Sequence, residues 1–361
     1  ELIFLMEITD IIAHKVKVKL TKPIKVTFGE IIDVETLIIK ISTDTEIFGY
    51  GEACPFEPVT GESIDSELAA LPLIVDSLRG KDPRNIENNH VLMEEAIVGH
   101  TALKAGIDIA LYDILGKDAG LPVYQLLGGA SNSIKTDITI SIGEPEQMAT
   151  EAQQYVSSGF SQLKVKAGID PHADEQAIQA ILNTVTPTTE IKVDANQGWT
   201  AKQTIAIMEK FKGTNLHAVE QPLPYWQHEQ NKLIRQSITQ NLMLDESVHS
   251  PSDAMTAIKN GEADLINIKL MKSKGIFGAE GINKIAESAG LNCMIGCMAE
   301  TSIGICAAVH FAAAHSNVAY CDLDSFMMFK QPKWLLDKGF TQEQDRLQLS
   351  DKPGLGINVN F

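Results

Sequence analysis

Lys164 and Lys166 stand two residues apart in Gln162-Leu163-Lys164-Val165-Lys166, an extended run between Gly159 and Gly168 whose alternation puts both lysines on one face and Leu163 and Val165 on the other. Alone, such a pair suits a solvated edge strand, where lysine discourages further pairing. Other stretches of the chain carry the same device. In Glu190 to Asn196, the residues Lys192, Asp194 and Asn196 share a face, and in Leu265 to Lys269 the polar pair Asn267 and Lys269 opposes Ile266 and Ile268. Asp194, Glu220 and Asp245 end three consecutive strand-like runs with lysines on strands to either side. Each carboxylate alone is as well explained by a helix N-cap or a surface acid, Asp245 before Glu246-Ser247 most of all. Ordered together, they point to a site. Buried charge is costly unless paired or bound to metal. Ligation by carboxylates alone suits a hard cation, and Mg²⁺ keeps positions open for substrate oxygens. A divalent cation with a lysine on each side is what proton abstraction next to a carboxylate requires: the cation stabilises an enediolate and a desolvated lysine acts as base.

The elements that must hold these residues follow from the pattern around them. After Gly129, strand-like runs end near Ser141, Lys166, Asp194, Glu220, Asp245, Lys269, Cys297 and Asp322, the last seven spaced by 28, 26, 25, 24, 28 and 25 residues. This βα repeat predicts a compact (β/α)₈ barrel with its site where the strands end. Helices packed outside demand the apolar faces, so the polar faces point inward. An open doubly wound sheet is the alternative, but no G-x-G-x-x-G turn follows an early strand. Ahead of the repeat, residues 7–52 alternate as strands (Lys15 to Leu20, Val34 to Ile41, Ile47 to Glu52), with a loop expected from Thr21 to Asp33 around Pro23 and Gly29. From Ser63 to about Leu126 the period is helical, with Ala102, Ala105, Ile109 and Tyr112 on one face and Gly120-Leu121-Pro122 as the stop. Strands then helices, without alternation, read as an α+β unit. Gly128-Gly129 has the chemistry of a hinge to the barrel.

Composition narrows the function. A formal charge of -17, from 30 basic and 47 acidic residues, argues against a nucleic-acid partner, and no apolar run is long enough to span a bilayer. Five cysteines (Cys54, Cys293, Cys297, Cys306, Cys321) without C-x-x-C or zinc spacing suit a reducing, cytoplasmic setting. The start, Glu1 to Glu7, has an apolar patch without a basic leader or cleavage site, and Met6 is a candidate initiator. None of the nine histidines forms H-x-H or H-E-x-x-H, which argues against a zinc hydrolase; His310 and His315 read as helix or core residues. Symmetric oligomers are common among soluble enzymes, and a homo-oligomer is compatible with this sequence.

Lys164-Val165-Lys166, Asp194-Ala195-Asn196, Glu220-Gln221-Pro222, Asp245-Glu246-Ser247 and Ile266-Asn267-Ile268-Lys269 together resemble the muconate-lactonizing subgroup of the enolase superfamily, which uses a lysine or histidine base with Mg²⁺. The resemblance runs from Leu20-Thr21-Lys22-Pro23 through Gly49-Tyr50-Gly51-Glu52-Ala53 and Leu126-Leu127-Gly128-Gly129 to Lys352-Pro353-Gly354-Leu355-Gly356, nearly the whole chain. Asp322-Leu323-Asp324 resembles the Asp-X-Asp of dipeptide epimerases. The resemblance implies an α+β capping domain, residues 1–128 joined by the tail 330–361, over a catalytic barrel at 129–329. It implies Asp194, Glu220 and Asp245 as Mg²⁺ ligands, and Lys166 and Lys269 as opposed acid/base residues. It further implies Lys164 at the substrate carboxylate, Thr139, Cys297 and Ala299 along the dipeptide backbone, and Asp322 and Asp324 at its free ammonium. Counting without gaps from Pro23, the arginine with which glutamate-preferring members hold the side-chain carboxylate falls on Gly29. Broad or non-glutamate specificity is therefore expected, unless Lys22 or Lys25 in the same loop substitutes.

The activity expected is Mg²⁺-dependent inversion of the C-terminal residue of a dipeptide. Within the subgroup, N-acylamino acid racemase, succinylbenzoate synthase and muconate cycloisomerase share the lysines and metal site but have no obvious use for two inward aspartates. A non-catalytic binding or structural barrel is expected to have lost a ligand or a lysine, and an acid-sugar dehydratase more often uses a histidine base.

Overall fold

The computed structural model describes residues 6–26, 29–129 and 131–361, with the backbone alone at positions 22–26 and 29–31. The first part is an antiparallel sheet, β1 (Ile8–Val26), β2 (Gly29–Thr43) and β3 (Phe48–Ala53), followed by α1 (Glu57–Thr60), α2 (Ile64–Leu78), α3 (Ile86–Ala96), α4 (Thr101–Ala119) and α5 (Val123–Leu126). Ser63 and Ser66 form a reciprocal capping box that starts α2, and Gly120 ends α4 with φ 69°. The expected face of α4 is buried, but so are Leu103, Ile107 and Leu111 on its other sides. One reason is β3: Gly49 and Gly51 lie against the α4 backbone at Ala110 and Gly106, where a Cβ has no room.

The loop expected from Thr21 to Asp33 is instead strand. The β1–β2 ladder continues through Ile24↔Ile31, Lys25↔Glu30 and Val26↔Gly29, with a register shift between Lys19 and Ile24. That break brackets Pro23, which has no N–H for the ladder. The early residues Glu1 to Leu5 and the side chains of Lys22 and Lys25 lie outside the described residues.

After a short β4 (Ser133–Lys135), eight parallel strands form one sheet: β5 (Ile138–Ile140), β6 (Gln162–Lys166), β7 (Glu190–Asp194), β8 (Leu216–Glu220), β9 (Asn241–Leu244), β10 (Leu265–Lys269), β11 (Asn292–Gly296) and β12 (Val318–Asp322). Between them run α6 (Pro145–Ser157), α7 (Pro171–Thr184), α8 (Ala201–Lys210), α9 (His228–Ser237), α10 (Pro251–Asn260), α11 (Ile276–Ser288) and α12 (Ser302–Ala314). The first and last strands are joined by Asp137 N donating to Cys321 O at 3.0 Å and Leu323 N donating to Thr136 Oγ1 at 2.9 Å, which brings the sheet round into a nearly closed barrel. Leu163, Val165, Ile191 and Val193 pack with Ile178, Ile181 and Ile207 of the outer helices, so the polar alternates face inward as the sequence requires. No helix among the described residues is long and apolar enough to cross a membrane.

The tail returns to the first part. It forms β13 (Leu335–Lys338), β14 (Phe340–Glu343), β15 (Arg346–Leu349) and β16 (Ile357–Val359), with β13 paired to β16 and β15 to β4. Val123 N donates to Gly354 O at 3.0 Å. His310 of α12, a core residue as expected, accepts from Tyr124 N at 3.1 Å and contacts Leu355 O at 3.4 Å, fixing Nε2 as the protonated nitrogen. Gly129 lies against the Ala314 backbone with no room for a Cβ, whereas Gly128, at φ 87°, has open space where a Cβ would point.

Candidate active site

Five barrel strands end in an ionisable residue: Lys166, Asp194, Glu220, Lys269 and Asp322 close β6, β7, β8, β10 and β12. Asp245 follows β9 by one residue. It caps no helix, since Ser250 caps α10 by accepting from Asp253 N.

These side chains converge. Lys164 Nζ, buried two residues below the end of β6, lies 3.0 Å from Asp194 Oδ2, 3.0 Å from Glu220 Oε2 and 2.6 Å from Asp322 Oδ2. Lys166 Nζ lies 2.7 Å from Asp194 Oδ2 and donates to Asn196 Oδ1 at 3.1 Å. Across the ring, Lys269 Nζ lies 2.7 Å from Asp245 Oδ2. Asn267, inward as predicted, donates from Nδ2 to Glu220 Oε1 at 2.7 Å. Lys192, also inward, pairs with Asp137.

Burial alone would push all three carboxyls up. For Asp194 the ammonium charges of Lys164 and Lys166 outweigh burial and hold it well below the usual carboxylate range, and Lys269 and Lys272 do the same for Asp245. Glu220 is raised by burial and by the Asp194 charge beside it. Burial opposes the charge on Lys269, but Asp245 outweighs it and holds the ammonium above its ordinary value.

On the other side, Asp324 Oδ2 accepts from Thr139 N at 2.6 Å. Cys297 Sγ and one oxygen each of Asp322 and Asp324 lie within 4.8 Å of one another. Burial and then the Asp322 charge push the Asp324 carboxyl up to about 6, whereas Asp322 is lowered because Lys164 overcomes its burial. Thr139, Cys297, Ala299, Asp322 and Asp324 line one cavity with Lys164, Lys166 and Lys269. Leu20, Val34, Phe56 and Val59 from the first part and Met298, Met328 and Phe329 from the barrel loops form its apolar wall. The structure thus brings the site residues expected from the sequence together, eight of them lining the cavity and Asp194, Glu220 and Asp245 in contact with its lysines.

Residues 8–128 match the family described as mandelate racemase / muconate lactonizing enzyme, N-terminal domain, and residues 147–361 match the one described as enolase C-terminal domain-like. The chain belongs to this family. Within it, the chain is 39% identical to the hydrophobic dipeptide epimerase of Enterococcus faecalis over 98% of its own length and all of that protein. It is 38% identical to the L-Ala-D/L-Glu epimerase of Bacillus subtilis, covering 98% of this chain and 97% of that one. In solved structures it is similar to a substrate-liganded complex of the B. subtilis enzyme (TM-score 0.95, 37% identity, 98% and 100% covered). It is equally similar to the E. faecalis dipeptide epimerase with Mg and L-Leu-L-Tyr (TM-score 0.95, 38% identity, 98% and 99% covered).

The donor set fits the Mg present in the E. faecalis complex. Asp194, Glu220 and Asp245 are buried, and Glu220 Oε2 and Asp245 Oδ2 accept no hydrogen bond although each has an ammonium within 3.0 Å. Two further residues of this family member were not singled out from the sequence. Lys272, three positions after Lys269 and fully buried, donates to Asp245 Oδ1 and Asp245 O at 2.5 Å, to Val248 O at 3.0 Å and to Asn267 O at 3.1 Å. It turns Asp245 so that Oδ2 faces the ring. Glu246 lines the cavity directly after Asp245, and burial with the Asp245 charge pushes its carboxyl up to about 8. The signals for both were present, one in the Lys269-Leu270-Met271-Lys272 spacing and one in the Asp-Glu-Ser motif.

Proposed function

We propose that this chain is a Mg²⁺-dependent epimerase that inverts the α-carbon of the C-terminal residue of a dipeptide, with an apolar side chain preferred at that residue. The observation that carries the reading is the single cavity in which Lys166 and Lys269 stand near opposite carboxylates while Asp322 and Asp324 lie beside Lys164. It is supported by the full-length likeness to two dipeptide epimerases.

Asp194, Glu220 and Asp245 would hold the cation, whose charge stabilises the negative charge that develops on the substrate carboxylate when the α-proton leaves. Lys164 adds a fixed positive charge at the same place. One of Lys166 and Lys269 takes the α-proton as a neutral amine; the other, as an ammonium, returns a proton to the opposite face, so the proton count balances and configuration is inverted. As the side chains stand, Asp245 favours the ammonium form of Lys269, the form that returns a proton. Asp322 and Asp324 receive the dipeptide's free ammonium by charge-assisted hydrogen bonds.

The apolar preference is supported by Leu20, Val34, Phe56 and Val59 on the cap side, facing Met298, Met328 and Phe329. These residues bury an aliphatic or aromatic side chain favourably and offer a carboxylate no partner. We assign residues 1–128 with 330–361 to the capping domain and 129–329 to the barrel, so that the cap supplies the specificity wall and the barrel the chemistry. The test is epimerisation of an L-Ala-L-Xaa and L-Leu-L-Xaa library followed by NMR. Highest kcat/KM with Xaa such as Leu, Phe or Tyr supports the proposal; highest kcat/KM with L-Ala-L-Glu contradicts the preference, and no dipeptide turnover contradicts the activity.

A further inference from the structure

We propose that Glu246 is a positioning residue for Lys166, acting through the Asn196 carboxamide; this rests on the reading of Lys166 as one of two proton-transfer lysines. Lys166 Nζ donates to Asn196 Oδ1 at 3.1 Å, and the other end of that carboxamide, Nδ2, faces Glu246 Oε1 at 3.5 Å. Gln197 Nε2 reaches the same Oε1 at 3.3 Å. The ammonium at one end leaves the carboxamide one favourable orientation, with its amino group toward Glu246 Oε1. Turned over, its amino group would meet the ammonium. The backbone is committed to the same arrangement. Asn196 and Gln197 both lie in the left-handed region, at φ 39° and 68°, a conformation disfavoured for consecutive side-chain-bearing residues and held here by Asn196 N to Asp194 Oδ1 at 2.9 Å and Gln197 N to Gln221 O at 2.7 Å.

Glu246 is 5% exposed, its Oε2 accepts no hydrogen bond, and it lines the cavity that holds both lysines. Yet its hydrogen-bonded link runs to one lysine. Lys269 Nζ is held by Asp245 Oδ2 and meets Glu246 through charge alone, since no carboxamide joins the two among the described residues. A base must be held to within fractions of an ångström and a narrow angle of its proton, so loss of Glu246 falls on the face that Lys166 serves.

The test uses the full chain with saturating Mg²⁺ and α-proton exchange in D₂O from each epimer of one accepted dipeptide. Lys166→Ala and Lys269→Ala assign each epimer to its lysine. Glu246→Leu is expected to slow exchange about tenfold or more from the Lys166 epimer and less than about threefold from the other, while Glu246→Gln, which keeps an acceptor oxygen, stays within about threefold of wild type for both. Asn196→Gly, which tolerates the left-handed backbone and removes the carboxamide, is expected to give the same asymmetry and serves where Glu246→Leu does not fold. Equal losses at both epimers, a fall in calorimetric Mg²⁺ affinity of about tenfold, or a Glu246→Gln variant as impaired as Glu246→Leu overturns the proposal. If the two lysine variants fail to separate the epimers, the two-base reading itself falls, a result distinct from lost asymmetry with lysine assignments intact.

Discussion

Lys164 Nζ sits 2.6 Å from Asp322 Oδ2 while also 3.0 Å from Asp194 and Glu220, so one buried ammonium joins the three-carboxylate set to the aspartate pair across the barrel mouth.

Asp322→Asn and Asp324→Asn are each expected to lower kcat/KM for a free-amine dipeptide by about ten- to a hundredfold, the equivalent of a charge-assisted hydrogen bond of roughly 1.5 to 3 kcal/mol. Wild type should prefer the free amine over its N-acetyl form, and the variants should lose that preference. Kinetics on the two substrates decide; equal use of both by wild type would remove the amine role.

The same pair predicts a pH dependence. Asp324 is raised from the usual 3.8 to about 6 by burial and by Asp322, so it is neutral below that pH and charged above. Only the charged form attracts an ammonium, so kcat/KM should fall as pH drops through about 6, with KM carrying the change. Asp324→Asn should flatten that limb of the profile; an unchanged limb would assign it to another group.

Stability should respond to acid through histidines that the proposed chemistry does not use. Burial lowers His217, His249 and His310 from 6.5 to about 4. A depressed folded value means that the unfolded chain binds more protons between these pH values. The stabilisation is complete above pH 6.5 and is lost as pH falls toward 4. Urea unfolding at stepped pH should show a falling midpoint across that window. His310→Gln should reduce the slope, at a cost in stability at neutral pH from the lost Tyr124 and Leu355 contacts.

Asp194→Asn, Glu220→Gln and Asp245→Asn should each lower turnover by more than about a hundredfold, because each removes a charge that no neighbour replaces. Chelation of wild type should abolish activity and added Mg²⁺ restore it. Full activity after chelation would contradict the assignment of these carboxylates.

The inward direction of Lys164, Lys166, Asp194, Asn267 and Lys269 was legible because strand alternation is local and the outer helices claim the other face. The strand ends were legible for the same reason. What was not legible depends on distance in sequence or on geometry past the strand. Glu52 at the end of β3 accepts from Thr301 N at 2.8 Å, Thr301 Oγ1 at 2.7 Å and Gly304 N at 2.9 Å, pinning the cap to the start of α12 from 249 residues away in sequence, and no local pattern announces it. Lys272 and Glu246 lie beyond strand ends, where alternation no longer gives direction. The hairpin through Pro23 was missed because proline and glycine read as loop, whereas a shift in register lets the ladder pass the residue without an N–H.

The central claim is proton transfer at one α-carbon by two lysines on opposite faces, and solvent deuterium reports on it directly. With wild type in D₂O, either epimer of an accepted dipeptide should gain one α-deuterium as it converts to the other. Lys166→Ala and Lys269→Ala should each abolish epimerisation while retaining exchange from one epimer, a different one for each variant. Exchange from both epimers at equal rates in either variant, or epimerisation without deuterium uptake, would contradict it.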